Sequence, residues 1–227
     1  MNLIKMQGFF HPDDCRGRIH IIGCGAVGST IAVNLARCGL TKITLYDDDV
    51  VDSHNLVNQM FRAKDVGKPK VEALADILAE INPDIMADIK LVNAKYENQP
   101  LSGYVFLCVD NIDVRREIVQ KNKMNQSIKM LSDVRIRLTD AQHYMVKWSD
   151  SQMIQDLLNT MNFTHEEAMA ETPMTACRTA LSVCTTVWVI CARAVSNFMN
   201  FVKSGGDTFS RTMMVDLSSP DFEAYGY

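Results

Sequence analysis

Gly23-Cys24-Gly25-Ala26-Val27-Gly28 follows the β-branched run at residues 18–22 and leads directly into the amphipathic stretch 26–38. Its glycine spacing is G-x-G-x-x-G, and its setting is the end of a strand and the start of a helix. There the first glycine permits a tight turn, the second lets a phosphate reach the backbone, and the third lets helix and strand touch. The free amides and the positive end of the helix dipole then favour an anion. The loop alone does not separate NAD from ATP, and a tight structural turn is the plainer alternative.

Outward from the loop, Val27, Ile31, Leu35 and Cys38 form one helical stripe that stops at Gly39, and residues 42–46 read as a second strand. Strand, loop, helix and strand make a βαβ unit with a right-handed crossover. Helical spacing returns over 69–81, where Pro69 sits in the first turn and Asn82-Pro83 ends the pattern. Residues 85–92 and 104–109 read as strands, 113–124 as a helix, and 128–131 and 143–148 as late strands. The polar stretch 149–172 reads as a mobile excursion or small helical insert. Residues 175–202 read as one long apolar helix broken by Ser204-Gly205-Gly206, and 211–217 as a closing strand. The fold class expected is α/β: a Rossmann-like, mainly parallel sheet with helices on both faces, later antiparallel strands and a long C-terminal helix. Residues 1–227 are expected to form one domain, with a polar crossover insert at about 149–174.

Composition narrows the function classes. With 227 residues, 47% hydrophobic and 22% charged, the chain suits a globular α/β domain rather than disorder or coiled coil. A formal charge of −4, with no Lys/Arg-rich run, argues against nucleic acid as a partner. Seven cysteines, an odd number with no CxxC pair, suit reduced thiols and a cytoplasmic location. The start MNLIKMQGFF lacks the apolar stretch of a signal peptide. The apolar run from Thr179 to Ala192 is closed by Arg178 and Arg193, too short for the ~20 residues of a membrane span.

Asp47 ends the second strand, 19 residues after Gly28. An acidic residue about 20 positions on is where ribose hydroxyls are accepted, which disfavours a 2′-phosphate and hence NADP. His54, His143 and His165 are scattered, with no Cys/His cluster or Ser-His-Asp spacing.

The ordered set Asp47-Asp48-Asp49-Val50, Asn55-Leu56-Val57-Asn58-Gln59, Asp65-Val66-Gly67-Lys68-Pro69-Lys70 and Asp110-Asn111 with Arg115 resembles the ThiF/MoeB/HesA family. These are the adenylating relatives of ubiquitin-activating enzymes. The resemblance runs from about Arg18 to Arg115 and more loosely to Trp148. It implies ATP- and Mg-dependent adenylation of a carboxylate, the C-terminus of a ubiquitin-like or sulfur-carrier protein, by a homodimer. In that reading Gly23, Gly25 and Gly28 cradle phosphate, Asp47 takes the ribose, Asn55 and Lys70 contact phosphates, and Asp110 carries the metal. Asp49, Arg62 and Asn111 complete the nucleotide contacts. The chemistry agrees. A cation is needed where charge accumulates on the α-phosphate, and Lys70 supplies a compact one. Asp110, at a strand's C-terminal end, is a hard-oxygen ligand for Mg²⁺. Lys70 as a solvated lysine and Asp110 as a helix cap are the plainer alternatives; Arg115 reads as pinning its helix.

The chain also departs from the family pattern. Asn58 stands where the family has an Arg that neutralises the triphosphate, and an amide does not replace a full charge. Only 17 residues precede the first strand, so the N-terminal helix that supplies an arginine across the dimer is expected to be absent or reduced. The paired CxxC zinc site is missing, and no structural zinc is expected. Cys177 lies where thioester-forming members carry a nucleophile, beside Arg178, yet its spacing of seven from Cys184 and Cys191 also suits one buried helix face. Two alternatives therefore stand beside adenylation: a non-catalytic or half-site member that binds nucleotide and needs a partner, and an NAD-dependent oxidoreductase resting on the glycine loop and Asp47 alone.

Overall fold

Strands β1 (Ile19–Ile22), β2 (Ile43–Tyr46) and β4 (Gly103–Leu107) are buried at every position, the pattern of parallel strands covered on both faces. They form the centre of one eight-stranded sheet in a computed structural model that describes residues 1–174, 181–218 and, by backbone alone, 223–226. With β3 (Lys90–Val92), β5 (Ile128–Arg137), β6 (Asp140–Lys147), β7 (Thr212–Asp216) and β8 (Glu223–Gly226), the strand order is β3-β2-β1-β4-β5-β6-β7-β8. The first five run parallel and the last three antiparallel. The mainly parallel α/β sheet with later antiparallel strands is thus present.

Alternation along each strand sends neighbouring residues to opposite faces. Ile21 and Phe106 join the core under α1 (Ala26–Arg37), α2 (Lys70–Ile81) and α6 (Cys184–Lys203). Ile22, Val105 and Leu107 join the core under α3 (Ile112–Asn122) and α4 (Ser151–Asn159). Cys191 on α6 approaches the Val27 carbonyl of α1 at 3.6 Å, so these two helices lie directly against each other. The six described cysteines are all free thiols. Among the described residues, no helix is long and apolar enough to cross a membrane.

Several expected boundaries move. Residues 85–87 belong to a 3-10 helix, Pro83–Ala87, set by Pro83 at its first position, and the strand there is only Lys90–Val92. The strand expected at 128–131 runs on to Arg137 and returns as β6 through Leu138-Thr139. That two-residue connection lacks the Gly or Asn that marks a hairpin in sequence, so the pair was hidden. Of the two forms expected for 149–172, the structure has the helical one: α4 buries Met153, Ile154 and Leu157, and α5 (His165–Glu171) follows it. The long helix begins at Cys184, not 175. Ser182 bridges Leu138 and Val183 is extended (φ −117°), while residues 175–180 lie outside the described residues.

One charged cluster is sealed between the layers. Asp133 at the end of the parallel part of β5 is fully buried, and it accepts from Arg115 of α3 and from Arg135 at 2.8 Å. Arg115 also donates to the Leu107 carbonyl at 3.0 Å, and Arg135 to Thr160, so the cluster ties α3, β4, β5 and the end of α4 together. The reading of Arg115 as a residue that pins its helix agrees with these contacts. Removing the carboxylate leaves the buried Arg115 and the partly buried Arg135 without a counter-charge. Asp133→Ala is expected to lower unfolding free energy by about 3–5 kcal/mol in denaturant titration. A loss under 1 kcal/mol would show that the cluster is solvated and structurally idle.

Candidate nucleotide site

The glycine loop closes over the C-terminal edge of the sheet, between β1 and β4, where the strand order reverses. In open α/β sheets this switch point is the ligand crevice. Gly23 has φ +92°, a region that favours glycine, and its amide donates to the Tyr46 carbonyl at 2.8 Å. A Cβ on it would lie 2.9 Å from the Cys108 carbonyl carbon and oxygen. A Cβ on Gly28 would lie 1.8 Å from the Gly23 oxygen, so α1 and the loop meet backbone to backbone. At Gly25 the same construction meets nothing within 4 Å. Gly25 is also the N-cap of α1 and offers no side-chain cap. Within the described residues no hydrogen bond engages the amides of Gly25, Ala26, Val27 or Gly28. Open space in front of uncapped amides is what an anion needs.

The acidic turn after β2 is bound into this loop. Asp47 accepts from the Cys24 amide at 2.6 Å and from the Asp49 amide at 2.9 Å. Burial pushes its carboxyl upward, and the two amides and Lys70 pull it back. Asp47 therefore positions the loop in this structure, and a ribose would share a carboxylate already in use. Cys24 is sealed beneath, its thiol held well above the ordinary range by burial and by Asp47, so it is an inert small residue.

Lys70 opens α2 and is 7% exposed. Its amide donates to the Asp49 carbonyl at 2.8 Å and its ammonium to Asp49 Oδ2 at 2.7 Å. The bridge between Val50 and Pro69 aligns the two segments. Lys70 is thus a helix-start cation drawn onto the acidic turn, not a solvated lysine. Asp47, Asp48 and Asp49 have ligand oxygens within 4.8 Å of one another, yet Asp49 is paired with Lys70 and Asp48 faces Lys95 at 3.8 Å.

The remaining candidates divide. Asn55, nearly buried, accepts from the Asp52 amide at 2.9 Å in a capping box that folds the 3-10 turn Ser53–Val57. Asn111 is the N-cap of α3, accepting from Asp113 at 2.9 Å and Val114 at 3.2 Å. With Asn111 capping, Asp110 is released from that duty. It stands exposed just beyond β4, and its carboxylate has no hydrogen bond among the described residues. Arg62 is the least free. Its guanidinium grips buried Asp65 through two nitrogens at 2.8 and 3.1 Å and pairs with Glu80 through a third, so it would meet a phosphate only by exchanging those partners. Cys177 lies outside the described residues. His143 is not a site residue. It is buried against Ser132 at 2.9 Å, and burial lowers it to about 4.

Two attachments had no reading in the sequence. Ser29 of α1 accepts from the Met60 amide at 3.2 Å and holds the 58–62 loop against the glycine helix. Asp113 accepts from Arg116 at 2.8 Å and from the His165 amide at 3.0 Å, which docks α5 on the first turn of α3 beside Asp110. The only available hint was the i,i+3 spacing of Asp113 and Arg116, a common surface pattern.

A parallel sheet carrying a glycine loop at its switch point, an acidic turn and a lysine at a helix start makes a Rossmann-type unit, an architecture that suits a nucleotide. The ThiF family pattern matches residues 15–224, and the chain belongs to the ThiF family. It is 41% identical over 130 residues to ubiquitin-like modifier-activating enzyme 5 of Arabidopsis thaliana, a match covering 48% of this chain and 30% of that protein. It is 35% identical over 108 residues to molybdopterin-synthase adenylyltransferase of Salmonella typhimurium, covering 44% of this chain and 43% of that one. In both, the matched part is under half of the relative. Solved structures share the fold: PaaA with a TM-score of 0.70 at 15% identity, and E. coli MccB with ATP at 0.67 and 17%. Each match covers 95% of this chain and 65% of the other.

The glycines separate folding from ligand approach. Gly28→Ala is expected to cost more than 3 kcal/mol of stability, because its carbon overlaps the Gly23 oxygen. Gly25→Ala is expected to stay within about 1 kcal/mol of the parent in denaturant titration. It should still weaken nucleotide binding tenfold or more by calorimetry. Equal stability of the two variants, or full affinity in Gly25→Ala, would contradict this geometry.

Proposed function

We propose that the chain adenylates a carboxylate with ATP, the carboxylate being the C-terminus of a small ubiquitin-like or sulfur-carrier protein. One observation carries the proposal. Gly25 with its open space and unengaged amides, Lys70 on the acidic turn, and the unengaged Asp110 beyond β4 stand at one edge of the sheet, in a ThiF-family chain. The names of the relatives add support, being activating enzymes and an adenylyltransferase.

A carboxylate is a poor electrophile because its leaving group would be oxide. Attack of one carboxylate oxygen on the α-phosphorus forms a P–O bond, and the bond from that phosphorus to the β-phosphate bridge breaks. Pyrophosphate departs with the electron pair, and the carbonyl now carries AMP, which a thiol, sulfide or amine can displace. The loop amides hold the phosphates against the α1 dipole. Lys70 offers a positive charge near the α-phosphate, where negative charge is shared between entering and leaving oxygens. The exposed carboxylate of Asp110 fits a hard divalent cation, and bound Mg²⁺ supplies charge neutralisation of the phosphates. A homodimer, paired through the outer face of α6 that carries the exposed Trp188, and a cytoplasmic location complete the proposal.

A second reading rests on a specific observation. Asn58 is uncharged, Arg62 is tied to Asp65 and Glu80, and Lys70 is tied to Asp49. Among the described residues a triphosphate entering this site finds no unpaired arginine, which favours a half-site that borrows a cation from another subunit. The glycine loop and Asp47 would equally serve NAD, but Lys70 and Asp110 have no part in hydride transfer.

ATP–pyrophosphate exchange with candidate carrier proteins separates these readings. Exchange is expected from the parent chain, falling at least a hundredfold in Lys70→Ala and in Asp110→Ala. Exchange that persists in both variants would refute the assignment of the residues. Measurable ATP binding with no exchange for any carrier would favour the half-site.

A further inference from the structure

A cavity of about 450 Å³ lies at the opposite end of β4 and β5 from the glycine loop. Its floor is apolar. Tyr104 near the start of β4, Ile128 at the start of β5 and Phe201 near the end of α6 are 3–5% exposed. The Tyr104 and Phe201 rings meet edge to face with centroids 6.5 Å apart. Two glycines let the walls close on these rings: a Cβ on Gly17 would lie 3.1 Å from Tyr104, and one on Gly206 3.1 Å from Phe201.

The rim has the opposite character. Arg16, Lys129 and Lys147 line it, against a single acid, Asp14. Lys129 is fixed over the floor, donating to the Arg16 carbonyl at 2.5 Å with its ammonium 5.7 Å from the Tyr104 ring centre. Lys147 pairs with Asp207 at 3.2 Å, so Arg16, Lys129 and Lys147 stand at the rim against Asp14 and Asp207. The Tyr104 phenol, raised to about 12 by burial, stays a neutral donor. A half-open hollow of a few hundred Å³ with an apolar floor and a few convergent polar groups has the form of a small-molecule site. None of these residues takes part in the nucleotide site.

We propose that this cavity binds a small organic anion with a flat apolar body. Its carboxylate or sulfonate meets Arg16, Lys129 and Lys147, and its body lies on the Tyr104–Phe201 floor. A bare inorganic anion would leave the floor wet and would meet only solvated cations. A neutral aromatic would forgo the rim. Because the cations are solvent-exposed, their attraction is screened by salt.

Calorimetric titration of the full chain with 2-naphthoate tests this, alongside 2-naphthalenemethanol and acetate as the neutral and the body-less counterparts. The expected result is one saturable site for 2-naphthoate, at least tenfold weaker binding of both counterparts, and weakening as salt rises. The double variant Lys129→Gln/Lys147→Gln should lose at least tenfold, and saturating Mg-ATP should change nothing. In the unaltered chain, the Tyr104 and Phe201 ring resonances should shift on binding, a readout independent of how the variant folds. Absence of saturable binding at millimolar ligand, equal affinity for the neutral counterpart, unshifted rings or displacement by ATP would each overturn the proposal. Displacement by ATP would also leave the adenylation reading untouched, since it would only move 2-naphthoate into that site.

Discussion

The rest of the structure depends on one backbone contact. The carbonyl of Gly23 occupies the place where residue 28 would carry its first side-chain carbon. That contact sets the depth at which α1 sits on the sheet. It also directs the first-turn amides of α1 over the crevice between β1 and β4. Gly23 itself, at φ +92°, presses against Cys108 at the end of β4, so two strands and a helix converge on a loop of six residues. Asp47 fixes the third side by accepting the Cys24 amide. A site whose donors are held by covalent geometry and close contact needs no rearrangement to receive an anion, and such preorganisation is where most binding specificity for phosphate originates.

Charge at this edge is balanced with little to spare. Lys70 meets Asp49, Lys95 faces Asp48, and Arg62 meets Asp65 and Glu80. Each of these cations is already answered by a carboxylate. On the proposed function, nucleotide binding is then an exchange of partners, in which phosphate replaces aspartate, rather than the filling of a positive hole. This explains physically why Asn58 matters. In a site with a spare arginine the exchange costs little, whereas here each cation moved onto phosphate leaves a carboxylate to be solvated or neutralised. Asp49 and Asp48 are well exposed, so solvation of the released carboxylates is inexpensive. Asp65 is fully buried, which makes Arg62 the hardest of the three to move.

The parts of the fold that were legible in the sequence are those where burial writes a pattern. Strands covered on both faces read as mostly apolar, β-branched or aromatic runs at 19–22, 43–46 and 103–107, and helices covered on one face read as stripes at 26–37 and 70–81. The β5–β6 hairpin escaped because its connection, Leu138-Thr139, carries no turn chemistry. The start of α6 escaped because Leu181-Ser182-Val183 is apolar enough to pass for helix, while a bridge to Leu138 holds it extended. At the candidate site, the motifs identified residues that share an edge but not the state of each side chain. Asn111 turned out to cap α3, Asn55 to close a 3-10 turn, and Arg62 to be committed to Asp65; those are pairwise contacts that spacing does not encode.

On the proposed function, the loop at residues 23–28 receives the phosphates of ATP. Backbone amide resonances of the isotopically labelled chain, followed during titration with Mg-ATP and separately with NAD, test it at the atoms concerned. Saturable shifts are expected at Gly25, Ala26, Val27 and at Asp49 with Mg-ATP, and at least tenfold weaker response to NAD. Shifts confined elsewhere, or tighter binding of NAD at these same amides, would contradict it.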